Sequence, residues 1–226
     1  MGAESLVQAD SLVKTFGAGA TAVTAVVEAT FSIEPAERIA LVGPSGSGKS
    51  TLLHLIAGLE TPTGGAIAWP ALGARETLRP GAIGLAFQGP SLLPPLSVVE
   101  NVALPIILGG GSERFALGAA TDLLDAFDVA DLASKLPEEL SGGQSQRVGL
   151  ARAFAGAPRL VLADEPTGQQ DHETGARVME AALTLASLGN AALIVATHDR
   201  SVAKLLSVAW AVEDGRLRTE AMTWSA

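Results

Sequence analysis

"RIALVGPSGSGKSTLLHLIAGL", residues 38–59, decides the fold. The apolar run "RIALV" has strand length, the glycine- and serine-rich "GPSGSGKS" follows at once, and "TLLHLIAG" carries apolar residues at helix spacing until Gly58 offers a helix end. Gly43 to Ser50 matches G-x-x-x-x-G-K-[ST], and the place between strand and helix is the context that gives this pattern meaning. Gly43, Pro44, Ser45, Gly46, Ser47 and Gly48 form a loop whose backbone N–H groups curl around phosphate oxygens. Lys49 reaches the outer phosphates, Ser50 ligates magnesium, and Thr51 stands beside them at the helix start.

Working outward, the stretches before residue 38, "SLVQADSLVKTF" and "ATFSIEP", read as short strands broken by glycine and Pro-Ala turns. An antiparallel strand layer is therefore expected ahead of a parallel core. Downstream, "RLVLADEP" and "AALIVATHD" are strand-length apolar runs separated by the helical "TGARVMEAALTLASLG", the βαβ alternation of a parallel sheet. "AVEDGRL" predicts a hairpin on Asp214-Gly215. Between these parts, residues 98–136 are helix-dominated, with Leu123, Leu124, Phe127 and Leu132 marking an apolar face in "TDLLDAFDVADLASKL". The expected organisation is one α/β domain over 1–226, with a core of 1–95 and 137–226 and an inserted helical subdomain over about 96–136.

Composition narrows the partners. Among 226 residues, 48% are hydrophobic, enough for a real core, and 15 basic against 24 acidic residues give a net charge of −9. Such a balance disfavours a broad nucleic-acid surface, so no nucleic-acid partner is expected. Without cysteine there is no disulfide framework, thiolate zinc site or thiol nucleophile, and a cytoplasmic setting is expected. "MGAESLVQAD" lacks the basic-then-apolar pattern of a signal peptide, and no run reaches the roughly 18 uninterrupted apolar residues of a membrane span. From Pro80 to Val99 there is no charge, but four prolines and three glycines forbid a spanning helix. That stretch is either a buried strand with a loop or a partly exposed apolar docking surface.

Candidate chemistry sits where apolar strands end. Asp164 and Glu165 close "LVLADE" side by side, so one carboxylate can hold the magnesium shell while the other polarises an attacking water. His198 ends "IVATHD" at the carboxyl edge of the next strand, where ligands of parallel sheets gather. Gln88 follows another apolar run, and its amide can reach magnesium or water without adding charge. His54 and His172 read as structural. A second helix start, "LSGGQSQR" from Leu140 to Arg147, offers Ser141 and bare backbone to a phosphate. An ordinary N-cap by Ser141 is the other reading of the same residues.

In this order and spacing, the phosphate loop of Gly43 to Ser50, "FQ" ending at Gln88, "LSGGQ" at 140–144, "LADEP" with Asp164-Glu165, "TGQQD" ending at Asp171, and His198 resemble the ATP-binding cassette ATPases of ABC transporters. The resemblance spans essentially the whole chain and implies a P-loop NTPase fold with ATP and Mg2+ as cofactors. It implies catalytic roles for Glu165, His198 and Gln88, magnesium ligands in Ser50, Gln88 and Asp164, and adenine stacking at Phe16 in "KTFG", where tyrosine is usual. It also implies a head-to-tail dimer in which Ser141, Gly142, Gly143 and Gln144 of one copy close over ATP held by the other, with Asp171 in the loop that joins the two sites. "GLETPTGG" and "LLPPLSVVENVALP" are most similar to the branch of macrolide-export, lipoprotein-release and cell-division ATPases, which implies a transmembrane permease partner and a place at the inner face of the cell membrane. "GQQD" departs from the "GNLD" common in that branch. A soluble ATPase of this type acting on DNA or ribosomes would bring coiled-coil insertions, zinc sites or a second cassette, and a regulatory module would have a damaged catalytic set; neither pattern is present.

Overall fold

The strand–loop–helix unit forms as its sequence predicts: β3 (Arg38–Val42) runs into the phosphate loop, and α1 (Lys49–Ile56) follows, with Gly58 in the left-handed region beyond it. The computed structural model describes residues 4–89 and 91–219, with Ala20 described by its backbone alone. In it β3 pairs in parallel with β7 (Ala192–Thr197) on one side and β8 (Val208–Glu213) on the other. Next to β7 come β6 (Leu160–Asp164) and β5 (Ile83–Ala86), also parallel. The expected antiparallel layer is β1 (Val7–Phe16) between β2 (Val23–Ile33) and β4 (Gly64–Ala68). β9 (Arg216–Arg218) returns from β8 through the Asp214-Gly215 turn and meets β2 at the single register pair Val27–Arg216, which joins the two parts. Among the described residues this gives a mixed nine-stranded sheet of order β4-β1-β2-β9-β8-β3-β7-β6-β5.

Alternation along each central strand divides the core into two. Val161, Ala163, Leu193 and Val195 face one way, packing with α2 (Val98–Leu108), α3 (Glu113–Ala126), α4 (Gly142–Phe154) and α5 (His172–Leu188). Leu160, Leu162, Ile194 and Ala196 face the other, packing against Leu52, Leu53, Leu55 and Ile56 of α1 and the N-terminal strands. Each such leucine, fully buried, contributes about 1.5–3 kcal/mol. Burial on both faces is why these strands read as continuous apolar runs.

The helical region departs from a continuous apolar face. α3 stops at Ala126, Asp128 takes a left-handed φ of 55°, and the chain continues in short turns. Arg147 of α4 holds that break, donating to the Phe127 and Asp128 carbonyls, the latter at 2.7 Å. Leu124, Phe127 and Leu132 are buried as expected, while Leu123 is only partly so. The uncharged stretch divides between its two readings: Ile83, Leu85 and Ala86 are buried in β5, whereas Gln88, Gly89, Leu93, Pro94 and Pro95 are exposed; Pro90 lies outside the described residues. Buried Asn101 pins the exposed half, accepting from Leu93 N–H at 2.7 Å and donating to the Leu96 carbonyl at 2.9 Å.

Candidate functional site

The phosphate loop lies at the carboxyl edge of the parallel strands, wedged between β2 and β8. Gly48 sits at φ 107°, and a Cβ there would run into the Ala25 carbonyl; one on Gly43 would strike the Val212 carbonyl. Close backbone approach requires glycine at both positions, and at Gly48 the left-handed φ requires it as well. Lys49, 7% exposed, folds over the loop and donates to the carbonyls of Gly43 at 2.8 Å and Pro44 at 3.0 Å. A cavity of about 560 Å³ opens here, lined by Pro44, Ser45, Gly46, Gly48, Lys49, Ser50 and Thr51 on one side and by Gln88, Asp164, Glu165 and His198 on the other. Three strand ends and one glycine loop thus bring together residues separated by up to about 150 positions.

Asp164 is the last residue of β6, 5% exposed, and its Oδ1 has no hydrogen-bond partner within the chain. Burial, reinforced by the neighbouring Glu165 charge, raises its pKa, against the opposing pull of Ser50, His54 and Lys49. A buried, partnerless carboxylate oxygen beside a hydroxyl fits a hard divalent cation, which would supply the missing partner. Glu165 then turns out of the strand at φ 49°, its N–H held by the Ala196 carbonyl at 2.9 Å. Its Oε1 lies 2.8 Å from His198 Nδ1, with the glutamate side chain 12% and the histidine 71% exposed. His54, by contrast, packs in α1 with its ring 6.0 Å from Phe87, and His172 opens α5.

The remaining expected residues stand outside this cavity. Phe16 is 42% exposed, with Lys14 Nζ 4.8 Å from its ring centre. Ser141 is the N-cap of α4, its hydroxyl accepting from Gln144 N–H at 3.2 Å while Gln144 Oε1 accepts from Ser141 N–H at 2.9 Å, a reciprocal capping box. Gly142 and Gly143 follow in the first turn. Asp171 caps α5 by accepting from Thr174 N–H at 2.9 Å, and this bond holds its carboxyl below the usual range. Sequence reasoning missed Ala25, whose backbone closes the loop, because an alanine in a strand carries no signal. It also missed Gln146, which donates to the Glu165 carbonyl at 2.6 Å. The second glutamine of "GGQSQ" was visible, but nothing in its spacing tied it to a residue 19 positions away.

The family described as "ABC transporter" matches residues 26–168. Two uncharacterized ABC transporter ATP-binding proteins of Mycobacterium tuberculosis, MT1014 of strain CDC 1551 / Oshkosh and Rv0986 of strain H37Rv, are each 42% identical over 224 residues, covering 96% of this chain and 90% of theirs. A dimeric structure of MJ0796, described as a bacterial ABC transporter cassette, superposes with a TM-score of 0.88 at 33% identity, covering 97% of this chain and all of that one. A second MJ0796 structure, a dimeric post-hydrolysis state bound to ADP and Pi, matches with the same score and coverage. With the family match, the relatives and the fold in agreement, the chain belongs to the ABC transporter family, as one of its ATP-binding, ATP-hydrolysing cassettes.

Proposed function

We propose that two copies of this chain close head to tail over two ATP molecules and that their closing and opening drives a transmembrane permease, in export or in extraction of a lipid or peptide. The observation that carries the reading is a separation: Ser141 to Gln144 begin a helix of 13 residues, yet none of them lines the cavity formed by Lys49, Asp164 and Glu165. A helix start with free N–H groups and two glycines is suited to a phosphate that its own chain does not bring to it. The dimeric arrangement of MJ0796 supports the same reading.

Within each site, Ser50, Gln88 and Asp164 are the residues that would hold Mg2+, which when bound offsets phosphate charge. Lys49 and the loop N–H groups hold the phosphates, Phe16 meets the base, and Asp171 fixes the start of α5 in the loop joining the sites. Glu165 accepts a proton from water, with His198 and Gln88 orienting the reacting groups. The core of 1–95 and 137–226 carries this machinery, and α2 and α3 of the inserted 96–136 region pack against α4 and carry the permease-facing surface.

A membrane partner is supported by two features. No helix among the described residues is long and apolar enough to cross a membrane. An apolar cleft of about 770 Å³ also opens between α2, α3 and α5, where Phe115 and Leu188 are 66% and 81% exposed. Such a site would place the chain at the inner face of the cell membrane through its partner.

Mixed dimers test the shared site. Lys49→Ala and Ser141→Arg chains should each be inactive alone, while their mixture regains one site built from two intact halves. ATP trapping at one site per verified mixed dimer is the expected result; no trapping and no turnover would overturn the head-to-tail reading.

A further inference from the structure

Three amide contacts join the start of α4 to the turn that carries Glu165. Gln146 Nε2 donates to the Glu165 carbonyl at 2.6 Å, and the same side chain's Oε1 accepts from Gln169 N–H at 3.2 Å. Because a carbonyl only accepts and an N–H only donates, the orientation of this amide is fixed by its partners. Gln170 Nε2 reaches back to the Gly143 carbonyl at 2.7 Å. The turn between them is tightly wound, with Glu165 at φ 49° and Gly168 N–H on the Glu165 carbonyl at 3.1 Å. The fit is close: a Cβ on Gly143 would meet the Gln169 carbonyl at 2.9 Å and the Gln170 amide at 3.1 Å, and one on Gly142 would overlap Gln169 Oε1.

We infer that Gln146 is a positioning residue for Glu165, and that with Gln170 it clamps the 165–170 turn to the start of α4. Left-handed backbone is uncommon for a residue with a side chain and persists where surrounding contacts over-determine it. Here the Glu165 N–H is tied to β7 through Ala196, and its carbonyl is tied to α4 through Gln146, so the peptide on each side of the side chain is held and the carboxylate direction follows. The clamp spans both halves of the machinery. The helix start offered to a second copy and the carboxylate serving this chain's own nucleotide are linked by three hydrogen bonds rather than by packing alone. The inference rests on the reading of Glu165 as the general base.

The test uses the full chain in four forms: Gln146→Met, which keeps length and loses both bonds; Gln146→Glu, which keeps an acceptor for Gln169 N–H but has no donor for the Glu165 carbonyl; Glu165→Gln; and the double variant Gln146→Met with Glu165→Gln. Both Gln146 variants should lower kcat roughly tenfold, the scale of a misplaced catalytic group, with KM for ATP within about twofold of the parent. Glu165→Gln should lower turnover by roughly 10²-fold or more while ATP still binds. In long single-turnover incubations the double variant should be no slower than Glu165→Gln alone, because Gln146 acts through the group already removed. Wild-type kcat in Gln146→Glu, a rise in KM with kcat unchanged, or a further loss in the double variant would each overturn the positioning role. Near-normal turnover in Glu165→Gln would instead sink the general-base reading on which the inference stands.

Discussion

Asp164 occupies a place where function opposes stability. Folding buries its carboxylate and raises its pKa, so the folded protein holds this proton more tightly than the unfolded chain does. The ionised group therefore destabilises the metal-free fold at neutral pH, and that penalty fades as the pH falls through the raised pKa. Asp164→Asn removes the charge and keeps the shape. Without Mg2+ it should raise Tm by about 2–4 °C, the equivalent of roughly 1 kcal/mol for a chain of this size, while abolishing ATP turnover. Calorimetry in a chelating buffer checks the first part. A Tm unchanged or lowered would mean that the carboxylate is better satisfied than its partnerless Oδ1 indicates.

At the scale of elements, α4 links more of the site than any other helix. Its first turn carries the Ser141–Gln144 capping box, its second Gln146, and its last turn Arg152, which donates to the Ser91 carbonyl and hydroxyl at 2.7 Å each, just past Gln88. Ser141→Ala should cost about 1 kcal/mol of stability through the lost cap, read as a fall in Tm of about 2–4 °C, and Gln144→Ala added to it should cost little more. Full additivity would mean the two side chains do not act as one cap. The helix itself was legible, since Val148, Ala151 and Phe154 recur at helix spacing and are buried. So were the strands β3, β6 and β7, whose two-sided burial leaves unbroken apolar runs, and the phosphate loop, whose spacing is a chemical requirement. The end of α3 was not legible, because Arg147 fixes it from another helix, and neither was the clamp, because polar contacts between distant segments leave no period in the sequence. Gln170 was read only as a departure from a common loop; its bond to Gly143 shows what that departure holds.

Taken as a whole, the molecule presents an acidic surface, with a net charge of −9, interrupted by an apolar cleft and by the uncharged loop after Gln88. Leu93 is 43% exposed on that loop while its backbone is held by Asn101, so Leu93→Asp should leave the isolated chain folded and binding ATP. If the loop meets a permease, burying that charge costs several kcal/mol, and co-purification with the membrane partner should be lost. An unfolded Leu93→Asp chain would return the loop to the core, and unimpaired co-purification would place the permease elsewhere. If two copies share their sites as proposed, the absence of the α4 start from the lining of the phosphate cavity has a consequence for inheritance. A cell producing intact and Lys49→Ala chains together would assemble hybrids with one sound site and one dead one, so the mutant allele reaches into the product of the healthy allele. Whether such a cell shows the defect or hides it then counts how many sound sites each transport cycle requires, and dominance becomes a measurement of mechanism.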